Sequence, residues 1–126
     1  MIAGEYGGTK GPAETHTPMN LWDVRLKAGH GGVFTVKPGD NAVVFVLKGA
    51  VSVDGKRAGD AELVVLDRKG EALRIDATAD THLLILTGEP IDEPVFGYGP
   101  FVMNTEGEIR RAIADYQSGR MGHLAP

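Results

Sequence analysis

The stretch that most constrains the fold covers residues 41–55, NAVVFVLKGAVSVDG. Its first part, residues 42–47, is apolar at every position and rich in β-branched and aromatic residues. This composition is typical of a strand that is covered on both faces, so it predicts a central strand. Phe45 is then a core aromatic residue, and its truncation to alanine is predicted to cost about 3 to 5 kcal/mol.

The second part of this stretch predicts a reversal of the chain. Lys48 and Gly49 interrupt the apolar run, and residues 51–53 resume it with Ser52 between two valines. Asp54-Gly55 then supplies two residues that readily adopt positive φ, as a two-residue hairpin turn requires. We interpret the whole stretch as a buried β-hairpin.

Further apolar or alternating runs predict additional short strands separated by turns. They lie at residues 20–27, 33–36, 61–67, 72–77 and 81–87. Trp22 is expected in the core, and the apolar block at 63–66 is expected to be an interior strand. Seven or eight short strands with no helical pattern among them indicate an all-β fold, a jelly-roll barrel or sandwich.

The ends of the chain are expected to lie outside the barrel proper, which covers residues 19–104 of a single domain. Residues 1–18 are rich in glycine and proline and predict an extended lead-in that Ile2 and Tyr6 could anchor. Residues 88–104 are too apolar to stay free and are expected to dock along the barrel. Thr105 and Glu108 form a capping-box pattern that begins an amphipathic helix over residues 105–119. Residues 120–126 form a loosely held tail.

Composition argues against several classes of function. The 126 residues suit one domain, and a net charge of −4 provides no basic field for direct binding of nucleic acid. The chain has no cysteine, and its apolar runs are far shorter than the roughly 20 residues that cross a bilayer. No signal-peptide pattern is present, so a cytoplasmic location is expected.

The region before and within the central stretch resembles the first motif of the cupin superfamily. Lys37-Pro38-Gly39 leads into an apolar strand, and a strand of the form xVxV follows. In cupins, two histidines in an HxH pattern and a glutamate lie between the Pro-Gly turn and the strand, and they bind a metal. Only Asp40 and Asn41 occupy that interval here. The resemblance therefore implies a cupin barrel without the usual metal loop.

Several segments together resemble the second half of pirin family proteins. They are FGYGPFVMNT at 96–105, GEPI at 88–91, IAGEY at 2–6, GPA at 11–13 and NLWDVRL at 20–26. A ten-residue loop of this composition is far more specific than one short motif, and the segments are spread over nearly the whole chain. The resemblance leaves open whether the chain is a separately encoded half or a truncated pirin.

The resemblance has consequences for chemistry. Pirins are bicupins whose first half binds a non-haem iron through three histidines and one glutamate, and whose second half has no metal. The family is associated with quercetin 2,3-dioxygenase activity in bacteria and with metal-dependent transcriptional co-regulation in eukaryotes. For this chain the resemblance implies no catalytic, cofactor-binding or metal-binding residue, because no iron ligand has a counterpart here.

Four histidines are the candidate metal ligands: His16, His30, His82 and His123. None is part of an HxH or HxxxE pattern, whereas an oxygenase iron needs converging histidines and a carboxylate. His16 and His123 lie near the chain ends and are expected to be exposed. His82 is expected to be a partly buried structural residue and His30 an exposed turn residue. Iron ligation remains the alternative for both.

Two hypotheses of function follow. The first is a non-catalytic cupin module whose apolar face forms a homodimer or pairs with an N-terminal pirin-type cupin half. The second is a quercetin 2,3-dioxygenase-like enzyme in which His30, His82 and further carboxylates bind iron. A barrel that binds a small molecule without turnover is a third option. Metal content and mass in solution discriminate between the first two.

Overall fold

Short apolar and alternating runs form twelve strands, and one capped run forms a helix. The computed structural model describes all residues from Met1 to Pro126. In chain order the elements are β1 (Glu5–Tyr6), β2 (Thr9–Lys10), β3 (Met19–Leu26), β4 (Gly31–Thr35), β5 (Asn41–Lys48), β6 (Val51–Val53), β7 (Lys56–Ala58), β8 (Leu63–Val65), β9 (Ala72–Ala77), β10 (Thr81–Gly88), β11 (Phe96–Tyr98), β12 (Phe101–Met103) and α1 (Glu106–Gln117). The chain divides into two units, Met1–Pro90 and Ile91–Pro126.

Two four-stranded antiparallel sheets make up most of the first unit. The first sheet has the strand order β3-β10-β5-β8, and the second sheet has the order β4-β9-β6-β7. Their inner faces share one apolar core, in which Val44, Leu73, Ile75, Leu83 and Ile85 are almost fully buried. No strand pair joins the two sheets, so they form an open sandwich rather than a closed barrel. The predicted all-β fold with one C-terminal helix is confirmed.

The chain passes from the first sheet to the second at Gly49. This glycine has φ of +111°, and a Cβ there would lie 2.4 Å from Thr81 Oγ1, so only glycine fits the crossing. The prediction that β5 and β6 form one hairpin is therefore wrong, because these strands lie in different sheets. The hairpin at Asp54-Gly55 joins β6 to β7 instead, with φ of 45° and 85° at the two turn residues.

Burial along β5 alternates instead of being continuous. Ala42, Val44 and Val46 are buried, Phe45 is half-buried, and Leu47 is 40% exposed. β5 does lie between two strands of its sheet, as predicted, but the expectation that both of its faces are covered is wrong at its end. Successive strand residues point to opposite faces, so half of an apolar run necessarily faces outward. Because Phe45 is half-buried, we expect Phe45→Ala to cost less than the roughly 3 to 5 kcal/mol predicted from the sequence for a core aromatic residue.

Strand β8 lies at an edge of the first sheet, where an interior strand was expected. It pairs only with β5, and Val64 is its one buried residue. Leu63 and Val65 are 56% and 68% exposed. An apolar three-residue run can therefore form an edge strand, because one buried side chain is enough to attach this strand to the core.

The predicted lead-in contains a small hairpin, β1–β2, and is attached to the first sheet. Ala3 is buried and forms bridges with Leu21 and Ala13. The Tyr6 ring packs edge-on against Trp22, with 4.9 Å between ring centroids. Trp22 itself is 5% exposed, which confirms its predicted place in the core.

The second unit consists of the β11–β12 hairpin and helix α1, with contacts between them. The hairpin was not predicted, because residues 88–104 show no regular period. The helix begins as expected: Thr105 accepts a hydrogen bond from the Glu108 amide, and the Glu108 side chain accepts one from the Thr105 amide. Of its apolar stripe, Ile109 and Ala112 are buried, whereas Tyr116 is 68% exposed. The docking of this segment on the sandwich stays a prediction.

Candidate functional site

The space between the two sheets, where cupins hold their metal, is filled by apolar side chains. The inner face of the first sheet presents a row of Trp22, Ile85, Val44 and Val64 across its four strands. These residues and their neighbours of the second sheet belong to one buried apolar cluster. The interior therefore has the composition of a packing core and not of a metal centre.

The buried polar residues do not change this conclusion. They are Asp40, Thr81 and Thr87. The Thr81 hydroxyl bonds to backbone groups of Ala50, and the Thr87 hydroxyl accepts a hydrogen bond from Asn20 at 3.0 Å. Across the chain, no three His, Cys, Asp or Glu side chains lie close enough to hold one metal ion. The residues present do not fit the iron that a pirin-type dioxygenase would need.

His30 lies in the turn between β3 and β4, as the glycine-rich sequence predicted. Its side chain is exposed, and its Nδ1 lies 3.2 Å from the carbonyl oxygen of Ala28. The only polar contact of the ring is thus with the backbone of its own turn. This contact is consistent with the prediction that His30 is an exposed turn residue.

His82 lies on the outer face of the first sheet and not in the interior. Its Nε2 is 2.9 Å from Oδ2 of Asp23, and the two side chains are 33% and 35% exposed. The hydrogen bond from His82 is the main reason why the pKa of Asp23 lies below its ordinary value of 3.8. His82 is therefore half-buried and paired, but its partner is a carboxylate of a neighbouring strand.

Asp23 was not among the residues that the sequence singled out. The alternation of β3 predicts that it faces outward, and it does. The partner lies 59 positions away along the chain, so no local spacing could have connected the two. The structure brings His82 and Asp23 together, but it brings neither His30 nor a third ligand to them.

The outer face of the first sheet is unusually apolar for a surface. Seven apolar residues occupy two adjacent rows across its four strands. They are Leu21, Val43, Phe45, Leu63, Val65, Leu84 and Leu86. We call this set the outer apolar face. Contiguous apolar surface of this kind marks a contact with another element or another protein.

A second feature is an aromatic cavity of about 270 Å³. It lies at the edge formed by β3 and β4, which is the edge opposite β8 and β7. Tyr6, Trp22 and Phe34 contribute to its lining, and their ring centroids lie 4.9 to 6.3 Å apart. The indole Nε1 of Trp22 is buried without a hydrogen-bond partner. The cavity is the geometric basis for the third option, small-molecule binding. Helix α1 is too short and too polar to cross a membrane.

Known proteins resemble this chain over most of its length. A Pseudomonas aeruginosa protein named "Putative quercetin 2,3-dioxygenase" is 45% identical over 120 residues, which are 95% of this chain and 42% of that protein. Pirin-1 of Arabidopsis thaliana is 35% identical, over 97% of this chain and 45% of its own length. A crystal structure of quercetin 2,3-dioxygenase from Acinetobacter baumannii superimposes with a TM-score of 0.89 at 43% identity. That match covers 98% of this chain and 43% of the other.

The chain thus spans less than half the length of these relatives. The family model of the pirin C-terminal cupin domain matches residues 21–122. This range includes both four-stranded sheets apart from the first two residues of β3, and it includes the β11–β12 hairpin and helix α1. The chain belongs to the pirin C-terminal cupin domain family.

Proposed function

We propose that this domain is a metal-free, non-catalytic interaction module whose partner is an N-terminal pirin-type cupin half. The observation that carries the proposal is the contrast within the first sheet. Its inner face offers no donor set for a metal, and its outer face is apolar across all four strands. Such a sheet is built for contact and not for chemistry at a metal.

The nature of the partner is argued from the length of the relatives. In each of them more than half of the chain lies outside the part that matches this domain. A second cupin half in that additional chain, as the pirin resemblance implies, would be held close to this domain by covalent linkage. It is therefore the partner that the outer apolar face is best placed to meet.

The edge of the first sheet adds to this surface. Leu63 and Val65 of β8 are exposed and lie beside a groove of about 470 Å³ that Lys56 and Arg57 of β7 also line. An exposed apolar edge strand is a ready site for association, and proteins normally protect it. The partner is expected to cover Leu63 and its neighbours on β5 and β10.

The first test compares two apolar residues that are equally exposed but lie on different sheets. Leu63 and Val33 are 56% and 57% exposed, but Leu63 lies on the outer apolar face and Val33 on the outer face of the second sheet. The chain is mixed with the separately expressed N-terminal portion of the Pseudomonas aeruginosa relative, and mass is measured by light scattering. A 1:1 complex is expected, which Leu63→Glu weakens at least about tenfold and Val33→Glu leaves within about twofold.

Other results decide against this partner. If the chain alone has the mass of a dimer and Leu63→Glu returns it to a monomer, a second copy covers the face instead. If the chain is a monomer and forms no complex at micromolar concentration, the interaction module is the wrong function.

The names of the relatives favour a second candidate, quercetin 2,3-dioxygenase activity of a longer protein that contains this domain. The measurement is the metal content of protein purified without chelator, followed by a quercetin oxidation assay. We expect the chain alone to carry substoichiometric iron and to show no turnover. Stoichiometric iron that is lost in His82→Ala would favour the enzyme over the interaction module.

A further inference from the structure

The pairing of β10 with β5 contains an irregularity at His82. Leu83 pairs with Val46, whereas the preceding residue, His82, pairs with Lys48. Leu47 is therefore an additional residue on β5 that has no partner on β10. A bulge of this kind places two side chains of one strand opposite a single residue and redirects them. Here the bulge brings Lys48 beside His82.

The other neighbour of His82 is also basic. On β3, Arg25 pairs directly with His82, and directly paired side chains point to the same face of a sheet. Arg25, His82 and Lys48 therefore form one row across three strands. Neighbouring cations destabilise a sheet unless something of opposite charge lies between them.

The carboxylates nearby offset this charge only in part. Asp23 contacts Arg25 at 3.8 Å and His82 at 2.9 Å, and Asp80 contacts Lys27 at 3.8 Å. Lys48 takes part in no ion pair. Three permanent cations thus face two carboxylates, on a chain whose net charge is −4. The local charge is opposite in sign to that of the whole domain.

These residues also enclose a space. Arg25, Lys27, Lys48, Asp80 and His82 line a groove of about 360 Å³ at this end of the first sheet, together with Leu26 and Thr81. The volume exceeds what a water molecule needs. It is large enough for a small oxyanion.

We infer that this groove, which we call the cationic groove, binds a small oxyanion of the phosphate or sulfate class. Arg25 supplies a planar fork of N–H donors, and Lys48 supplies an unpaired ammonium. Protonation of His82 adds one positive charge to the three permanent ones, so binding tightens as pH falls. The charged groups around His82 are Asp23 and Arg25 of β3, Lys27 just after β3, Lys48 of β5 and Asp80 of the turn before β10.

Sulfate is the probe of choice, because its own charge does not change between pH about 5.5 and about 8, a range that covers ordinary histidine titration. Binding is measured by NMR titration of backbone amides at constant ionic strength. We expect sulfate to bind about 3- to 10-fold more tightly at the lower pH. The amides that shift are expected to cluster at residues 25–27, 48 and 80–82.

Three variants separate the groove from general charge effects. His82→Gln keeps a side-chain donor for Asp23 but cannot be protonated, so the pH dependence is expected to fall below about twofold. Lys48→Gln is expected to weaken sulfate binding about 3- to 10-fold at both pH values. The control Lys69→Gln removes the same charge from an exposed loop and is expected to change affinity by less than about twofold.

Three outcomes would overturn the inference: no sulfate binding to the unaltered chain at either pH, full pH dependence in His82→Gln, or equal weakening by Lys69→Gln and Lys48→Gln. The test is independent of the proposed partner. The domain can fail to bind an N-terminal half and still bind sulfate, and the reverse also holds.

Discussion

The two sheets of the sandwich have similar inner faces and opposite outer faces. The outer face of the second sheet is mainly polar and carries Val33, Thr35, Ser52, Arg57, Arg74 and Asp76. The corresponding face of the first sheet carries the seven residues of the outer apolar face. The second sheet therefore presents mainly polar side chains to water on its outer face, whereas the first sheet has apolar side chains on both faces.

This difference shows which face of the sandwich is the better candidate for recognition. The inner faces are equivalent contributors to one core, so they do not distinguish this domain from other sandwiches. The outer faces differ, and the polar groups that remain, such as His82, Asp23 and Lys48, lie at one end of the apolar one. The proposed partner contact and the inferred anion site thus both lie on the outside of the first sheet.

The largest expected effect compares two adjacent residues of β10. Leu83 is fully buried between the sheets, and Leu84 is half-buried on the outer apolar face. Leu83→Ala is expected to lower the free energy of unfolding by about 3 to 5 kcal/mol, and Leu84→Ala by about 1 to 2 kcal/mol. Urea denaturation measures both. Equal losses would show that the outer face of this sheet is packed as tightly as its inner face.

The next effect compares the outer faces of the two sheets. Phe45 lies at the centre of the outer apolar face, and Arg74 lies on the middle of the second sheet's outer face. Phe45→Ala is expected to cost about 1 to 2 kcal/mol, because it removes half-buried apolar area. Arg74→Ala should cost less than about 1 kcal/mol, since its ion pair with Asp76 is exposed. A larger loss for Arg74→Ala in urea denaturation would contradict the difference between the two faces.

The smallest effect concerns pH. Because the pKa of Asp23 is lower in the folded protein than its ordinary value of 3.8, its ionised form stabilises the fold above that value, and this stabilisation is lost as pH falls through the folded pKa. Asp23→Asn should therefore lower the urea midpoint near pH 6 by a small amount, and this difference should shrink progressively as pH falls below 3.8.

The control for this experiment is Asp92→Asn, at an exposed residue that takes part in no ion pair. Its urea midpoint should follow that of the unaltered chain over the same pH range. A pH-independent deficit in Asp23→Asn would mean that the residue acts through packing or hydrogen bonding and not through its charge.

Much of the fold could be predicted from local pattern. The alternation of β3 places Trp22 in the core, the Asp54-Gly55 turn has two residues with positive φ, and Thr105 caps the helix as its spacing to Glu108 indicates. These features depend on neighbours in the chain. The short β11–β12 hairpin was missed, since three-residue strands are too brief to show a period.

The candidate sites could be predicted only in part. His82 was recognised as a notable residue, but its carboxylate partner and the bulge that places Lys48 beside it depend on pairing between distant strands. The edge position of β8 likewise depends on which strands reach it and not on its composition.

By itself the sequence determined the kind of fold, the family and the absence of the cupin HxH ligand pattern, because these are properties of short segments and their order. The tertiary structure decided which apolar residues are buried and which face outward, and which charged groups meet. An apolar strand has the same sequence whether it lies at a centre or an edge, so burial on each face is set by the partner strands.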